Sequence, residues 1–427
     1  MRNRSEFVQL VDRYRLGRAQ RLSIGVSISD DFRMLHSTLM LATGRGKFLK
    51  ARWFENLASR VPDEIADACQ ECQSEHVTVQ DFSRLRIDLS RFIAGTVNQL
   101  AARSGVHSKL LMACCVSEPG VWVEDYDGQQ SWQPFLEPEQ LAELAGLTVI
   151  DSLLARDLAA GGRGGPIDPL AHWLLFADRN ETISEHPRML LNLGRFLELT
   201  WLPESDGLDE ELPALRFRRV LGLEIENLVI QAFGKNPMSP SQRDESGAQG
   251  QTHETLLRLL QEFEASQDLG RKLCGRQELQ DLAKQLVDVA IEQGLDIRDI
   301  LKTLATCAAK SIEQFLDRFS RKAIQLIAGG ELRQHGLLLS ELSNRADVEF
   351  LEGDDRNYVA EFANANVAAL LGLMHIDQMP MTVPWLTGTE IPRVLGRITS
   401  GSPANWRRVI MEMGDCRPPV MSLREAV

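Results

Sequence analysis

Long apolar runs are the first thing this chain of 427 residues lacks: nothing in it approaches the roughly 20 consecutive apolar residues that cross a bilayer. A signal-peptide core is missing as well, so the expectation is a cytoplasmic protein without membrane attachment. Cysteine is sparse, and its odd count of seven does not make a disulfide framework. Cys69 and Cys72 have the spacing of half a zinc site, but no second pair answers them, and Cys114-Cys115 sit in an apolar run. The eight histidines include no pair one helical turn apart, so no metal site is expected. Positive charge is short too, with 47 Lys and Arg against 60 acids and a net charge of −13. Such a surface repels nucleic acid and anionic lipid unless a basic patch is set apart. The one candidate patch is the first 21 residues, where six arginines flank Phe7, Val8, Val11 and Tyr14 at helical spacing. This predicts a basic amphipathic helix over 1–22, read as a surface extension because Glu6 and Asp12 spoil a transit-peptide composition.

What is present suits a folded body of two lobes. Hydrophobic residues are 44% and charged residues 25%, the ordinary balance of a globular chain, and the length exceeds what one core usually serves. β-rich segments at 21–32 and 37–54 precede a helical stretch at roughly 79–105, a buried strand at "KLLMACCV", a helix at "EPEQLAELAG" and a strand at "LTVIDSLL". "MLLNLGRFLELTWLP" reads as a hairpin turning at Gly194-Arg195. Beyond it the pattern is helical from "LRFRRVLGLEIENLVIQAF" to "IRDILKTLATCAAKSIEQFLDRF", interrupted at 234–252 by a Pro, Gly and Ser stretch that predicts a flexible loop. "KAIQLIAGGEL" restores a strand, ending in Gly329-Gly330 before a helix N-terminus. That geometry favours phosphate, as do the glycines of "RDLAAGGRGGPIDP" at 156–169.

The residues 141–176, "LAELAGLTVIDSLLARDLAAGGRGGPIDPLAHWLLF", carry a specific likeness. They resemble the core of the anhydro-N-acetylmuramic acid kinase family, whose pattern there is "LAE.TG..VV.DFR..D.A.GGQGAP..P..H..LF". "LLNLGRFLELTWLP", "RKLCGRQEL", "LIAGGELRQHGLL" and "PWLTGTEIPRVLGRI" resemble later segments of that family in the same order, from residue 24 to about 398. The resemblance implies an α/β protein of the bilobal actin-like, sugar-kinase fold, two ribonuclease-H-like lobes with a central cleft. Lobes are expected at 23–185 and 186–427. It also implies ATP with magnesium as cofactors, an anhydro amino sugar from peptidoglycan recycling as substrate, and a homodimer.

Against that pattern the active-site positions have changed. Gly25 stays in the first phosphate loop, but the hydroxyl pair becomes Asp30-Asp31, two carboxylates that either repel phosphate or simply cap a turn. The family's general base falls on Ser152 and its arginine on Leu154; a serine cannot take a proton at neutral pH, leaving Asp151 or the matching Asp157 as candidates. Arg195 follows Gly194 where a glycine would admit phosphate, Glu224 and Glu226 replace glycines, and Glu331 follows Gly329 and Gly330. Gly161, Gly162 and Gly164 survive on the sugar side, with Arg163 able to hold an anion. Two readings stand. One is a catalytically degenerate pseudokinase that binds a protein partner, or an amino sugar or anion in the cleft; the other is a diverged, active sugar kinase.

Overall fold

The computed structural model describes residues 20–74, 77–117, 119–124, 130–177, 188–203, 214–266, 276–319, 324–330, 332–346, 348–351 and 360–414. The basic helix expected over 1–22 lies outside them, apart from residues 20–22, which open the first strand.

The first lobe is a six-stranded sheet. β1 (Gln20–Ile28), β2 (Met34–Thr43) and β3 (Lys50–Arg60) form an antiparallel meander. α1 (Asp63–Ser74) and α2 (Val79–Ser104) follow. Thr78 caps α2 by accepting the Asp81 N–H at 3.1 Å, and Gly105 ends it at φ 70°, a left-handed conformation that glycine adopts without strain. β4 (Leu111–Ser117) then pairs in parallel with β1. A small hairpin, β5 (Gly120–Glu124) with β6 (Gln130–Pro134), leads through α3 (Pro138–Ala145) to β7 (Thr148–Asp151), parallel to β4. α4 (Leu153–Ala159) and α5 (Pro169–Phe176) close this part of the chain.

The second lobe repeats the plan. β8 (Arg188–Leu193), β9 (Phe196–Leu202) and β10 (Arg216–Leu221) form another antiparallel meander. Five helices follow: α6 (Leu223–Ala232), α7 (Pro240–Ala248), α8 (Glu254–Ser266), α9 (Arg276–Glu292) and α10 (Ile297–Leu316). β11 (Ile324–Gly330) then pairs in parallel with β8, and after α11 (Gly336–Ser343), β12 (Val348–Phe350) pairs in parallel with β11. Both sheets therefore consist of a meander whose first strand accepts a parallel neighbour on its other side. This shared order makes the molecule a bilobal α/β fold of two similar lobes.

Three expectations change. The stretch Arg216–Leu221, expected to be helical, is the strand β10, because Arg216, Arg218 and Val220 alternate with Phe217, Arg219 and Leu221 along an edge. The expected flexible loop at 234–252 contains α7, held by a capping box between Ser239 and Gln242, while Gln251 N–H and His253 N–H are bonded to Asp299 and Thr303 of α10. The lobe boundary at 186–427 also fails. α12 (Ala363–Ile376) packs across β1, β2 and β4, and after the short α13 (Pro384–Thr387), β13 (Arg397–Thr399) pairs with β7. Finally α14 (Pro403–Gly414) lays Asn405 against β4 and β7, where it bonds Thr148 N–H at 2.7 Å and the Leu111 and Met112 carbonyls at 3.0 Å. Residues 360–414 therefore complete the first lobe.

The first sheet is buried on both faces, and alternation along β1 divides the work. Leu22, Ile24 and Val26 face α2, with Leu89, Ile93 and Val97 across from them. On the other face Gly25 lies against α12 so closely that a Cβ there would fall 1.9 Å from the Ala365 carbonyl oxygen. Its lack of a side chain serves helix–sheet packing, not the phosphate approach expected of it.

Candidate functional site

β7 delivers Asp151 and Ser152 to the end of the first sheet. Asp151 is wholly buried, and its cross-strand partner in the β13 register is Arg397. The guanidinium meets the carboxylate at 2.7 Å through Nη2 and 3.3 Å through Nε, and the Ser152 hydroxyl donates to Asp151 at 2.9 Å. The strand ends there because Ser152 turns left-handed, at φ 56°. Asp151 is thus held as a structural ion pair, and the sequence expectation that it serves as base has no support in this geometry.

Asp157, wholly buried on α4, organises the glycine loop that follows. One carboxylate oxygen accepts the N–H groups of Gly164 at 2.8 Å and Gly165 at 3.2 Å. Burial raises its pKa above the usual aspartate range, and those N–H bonds only partly offset it. Gly162 lies so near that a Cβ would sit 2.3 Å from the same carboxylate, and Gly164, at φ 73°, is pressed against the Trp122 ring. Gly161 is left-handed at φ 82° with open space around it. Arg163 anchors its backbone N–H on the Thr387 carbonyl at 3.0 Å, leaving an exposed side chain that runs along Gly388.

The two hairpin turns face each other. In the β1–β2 turn, Asp31 accepts the Ser29 hydroxyl at 2.5 Å and the Arg33 N–H at 3.0 Å, so it caps its own turn. Asp30 instead reaches the β8–β9 turn and accepts the Arg195 N–H at 2.5 Å. Although Asp30 keeps exposed surface, desolvation by the surrounding protein raises its pKa, with Glu198 and Glu224 adding to the effect. The Arg195 guanidinium pairs with Glu224 and lies 5.4 Å from the Phe196 ring centre. The first turn of α6 braces this hairpin, since the Leu223 and Glu224 N–H groups bond the Gly194 and Arg195 carbonyls.

At the same end of the second sheet, where Gly330 stands opposite Leu193, Gly329 and Gly330 close β11. A Cβ on Gly330, at φ 59°, would fall 2.1 Å from the Leu193 carbonyl, so this turn is packed against β8. The helix N-terminus beyond it is capped from α7: Asp244 accepts the N–H groups of Gly336 at 2.6 Å and Leu337 at 3.2 Å. Beside it Glu226 is buried between Arg243 at 3.3 Å and His335 at 2.8 Å. The depression bounded by Leu223, Pro240, Arg243, Asp244, Gln334 and His335 encloses no room for a water molecule. Among the described residues no group of three His, Cys, Asp or Glu side chains is arranged to hold a metal ion.

Sequence reading missed Arg397, Arg243, Asp244 and His335, since each acts on a residue far away in the chain. It also missed Asp168, which the retained proline of α5 places near Glu198 and Arg219; burial pushes it up to about 7, with Glu198 adding to the shift. His172, the histidine of the "P..H" segment, is pushed down to about 3 by burial and stands neutral beside the Thr200 hydroxyl.

Comparison with known proteins adds the ancestry of this arrangement. A family model described as anhydro-N-acetylmuramic acid kinase matches residues 45–401. The anhydro-N-acetylmuramic acid kinase of Synechococcus sp. (strain CC9311) is 27% identical over 386 residues, covering 88% of this chain and 91% of the relative. That of Caldanaerobacter subterraneus subsp. tengcongensis is 22% identical over 392 residues, 89% of this chain and 97% of the relative. Among solved structures, component A of the Acidaminococcus fermentans (R)-2-hydroxyglutaryl-CoA dehydratase aligns with a TM-score of 0.41 at 10% identity, covering 82% of this chain and 96% of that one.

Proposed function

The chain belongs to the anhydro-N-acetylmuramic acid kinase family, and from that premise we propose that it binds without transferring phosphate. Phosphoryl transfer in such a cleft needs free backbone N–H donors for the phosphates and a carboxylate base for the attacking water. The observation that carries the proposal is that N–H donors of two glycine turns, and those at the start of α11, are taken by the chain's own carboxylates. Asp157 takes the N–H groups of Gly164 and Gly165, Asp30 that of Arg195, and Asp244 those at the start of α11. The residues present therefore do not fit a magnesium nucleotide, whose phosphates would meet carboxylates in place of donors.

The base position supports the same reading. Ser152 replaces the carboxylate, and the neighbouring Asp151 is committed to Arg397. Loss of a general base or of an electrostatic donor costs about 10²-fold each by usual magnitudes, so the losses compound. The glycine loop instead offers Arg163, exposed beside Gly388 where the family pattern has Gln, and its planar guanidinium suits the carboxylate of an amino sugar acid. We take that anion-bearing sugar as the small ligand, with a protein partner on the outer surface as the route to a cellular role.

The test is a calorimetric titration with magnesium-ATP, with and without anhydro-N-acetylmuramic acid. The expected result is no nucleotide heat up to millimolar concentration. Saturable ATP binding followed by sugar phosphorylation would overturn the proposal and leave a diverged, active kinase.

A further inference from the structure

Of the three carboxylates that take backbone N–H groups at these turns and at the start of α11, Asp157 and Asp244 stay within one lobe, whereas Asp30 crosses between the two. We infer that Asp30 is a latch: an internal oxyanion that ties the β1–β2 turn of the first lobe to the β8–β9 turn of the second and masks an oxyanion site there. The inference deepens the reading of a self-occupied cleft but does not depend on whether the chain transfers phosphate.

Both halves of the latch are built. On the first lobe the turn is fixed by the Ser29 N–H on the Met34 carbonyl and the Phe32 N–H on the Ser29 carbonyl, each at 2.8 Å. Phe32 is buried there in the left-handed region, at φ 61°. Because Asp31 spends its carboxylate on Ser29 and Arg33, the adjacent Asp30 is the acid that projects outward. On the second lobe Gly194 gives the approach its room, since a Cβ there would lie 2.8 Å from the Asp30 oxygen. The Arg195 guanidinium is engaged by Glu224, so the tie to Asp30 runs through the backbone N–H, which every residue type at 195 other than proline supplies. A carboxylate tethered on its own turn reaches this N–H at an effective concentration that free anions do not match.

Amide hydrogen exchange on the full chain tests the latch, with acetate as the probe anion. In Asp30→Ala the Arg195 amide should exchange about tenfold faster or more, as expected for loss of a charge-assisted bond, and excess acetate should slow it again. Asp30→Asn keeps a carbonyl oxygen acceptor, so it should retain protection and show no response to acetate. Gly194→Ala leaves the carboxylate in place but pushes it off, and should expose the same amide. Unchanged exchange of strands β4 and β8 confirms that each variant is folded; if Asp30→Ala fails this control, Gly194→Ala supplies the decisive reading. Arg195 exchange that is unchanged in a folded Asp30→Ala or Gly194→Ala, or an acetate response equal to that of the unaltered chain, overturns the inference.

Discussion

Asp151 has no contact with solvent, so its charge rests on Arg397, which is itself about half exposed. Breaking a wholly buried pair typically costs about 3–5 kcal/mol, because it leaves a charge uncompensated. Here the exposed half of the partner reduces that figure, and Arg397→Ala should destabilise the protein by about 2 kcal/mol. The check is a urea titration in which the midpoint falls while the slope stays the same. The partnership has no local trace in the sequence: Asp151 and Arg397 are 246 positions apart and meet only because β13 returns beside β7. What was legible at this scale is residue type. The loss of a carboxylate at Ser152 and the acids at Asp30 and Glu224 stand in the sequence, but which N–H groups those acids occupy does not.

The helix α7 shows what sets an element's legibility. α8, α9 and α10 could be read directly because Leu256, Leu260, Leu279, Leu282, Leu286, Ile300 and Leu304 repeat at helical spacing and are buried. α7 has no such stripe. It is held by a capping box and by polar contacts to distant elements, Arg243 to Glu226 and Asp244 to α11, so its composition looks like a loop. β10 was hidden for another reason, since three arginines on an edge strand break the apolar alternation. The cluster around α7 also titrates. Burial pulls the His335 pKa down, but the nearby Glu226 and Asp244 outweigh both that and the repulsion from Arg243, so the net shift is upward from 6.5. A raised histidine stabilises the fold fully below about pH 6.5 and loses that contribution as pH climbs through its folded value. The difference in thermal midpoint between the natural chain and His335→Gln should therefore be greatest near pH 6 and shrink toward alkaline pH. A difference that grows with pH would contradict the assignment.

For the molecule as a whole, the first lobe is discontinuous and the second is inserted within it. One face of the first sheet is covered by α12, whose Ala365, Ala369, Leu370 and Leu373 are buried, so residues 20–177 alone would expose that face to water. A fragment 20–177 should show no cooperative thermal transition by circular dichroism, and joining residues 360–414 to it through a flexible linker should restore one. Cooperative melting of the bare fragment would refute this account of the lobe. The two-lobed plan was legible through the family likeness. The return of the chain was not, because residues 363–376 read as one more helix of the half in which they fall, and nothing local tells which sheet they cover.

That return also sets an order in time. A ribosome making this chain releases the strands β8 to β12 in one continuous stretch, so the second lobe is complete while the first still waits for its last helix. The half that begins first finishes last. Until α12 and α14 emerge, Gly25 and its neighbours on β1 and β4 present an uncovered sheet face, and the nascent protein is most in need of a chaperone in the interval before residues 363–414 are made.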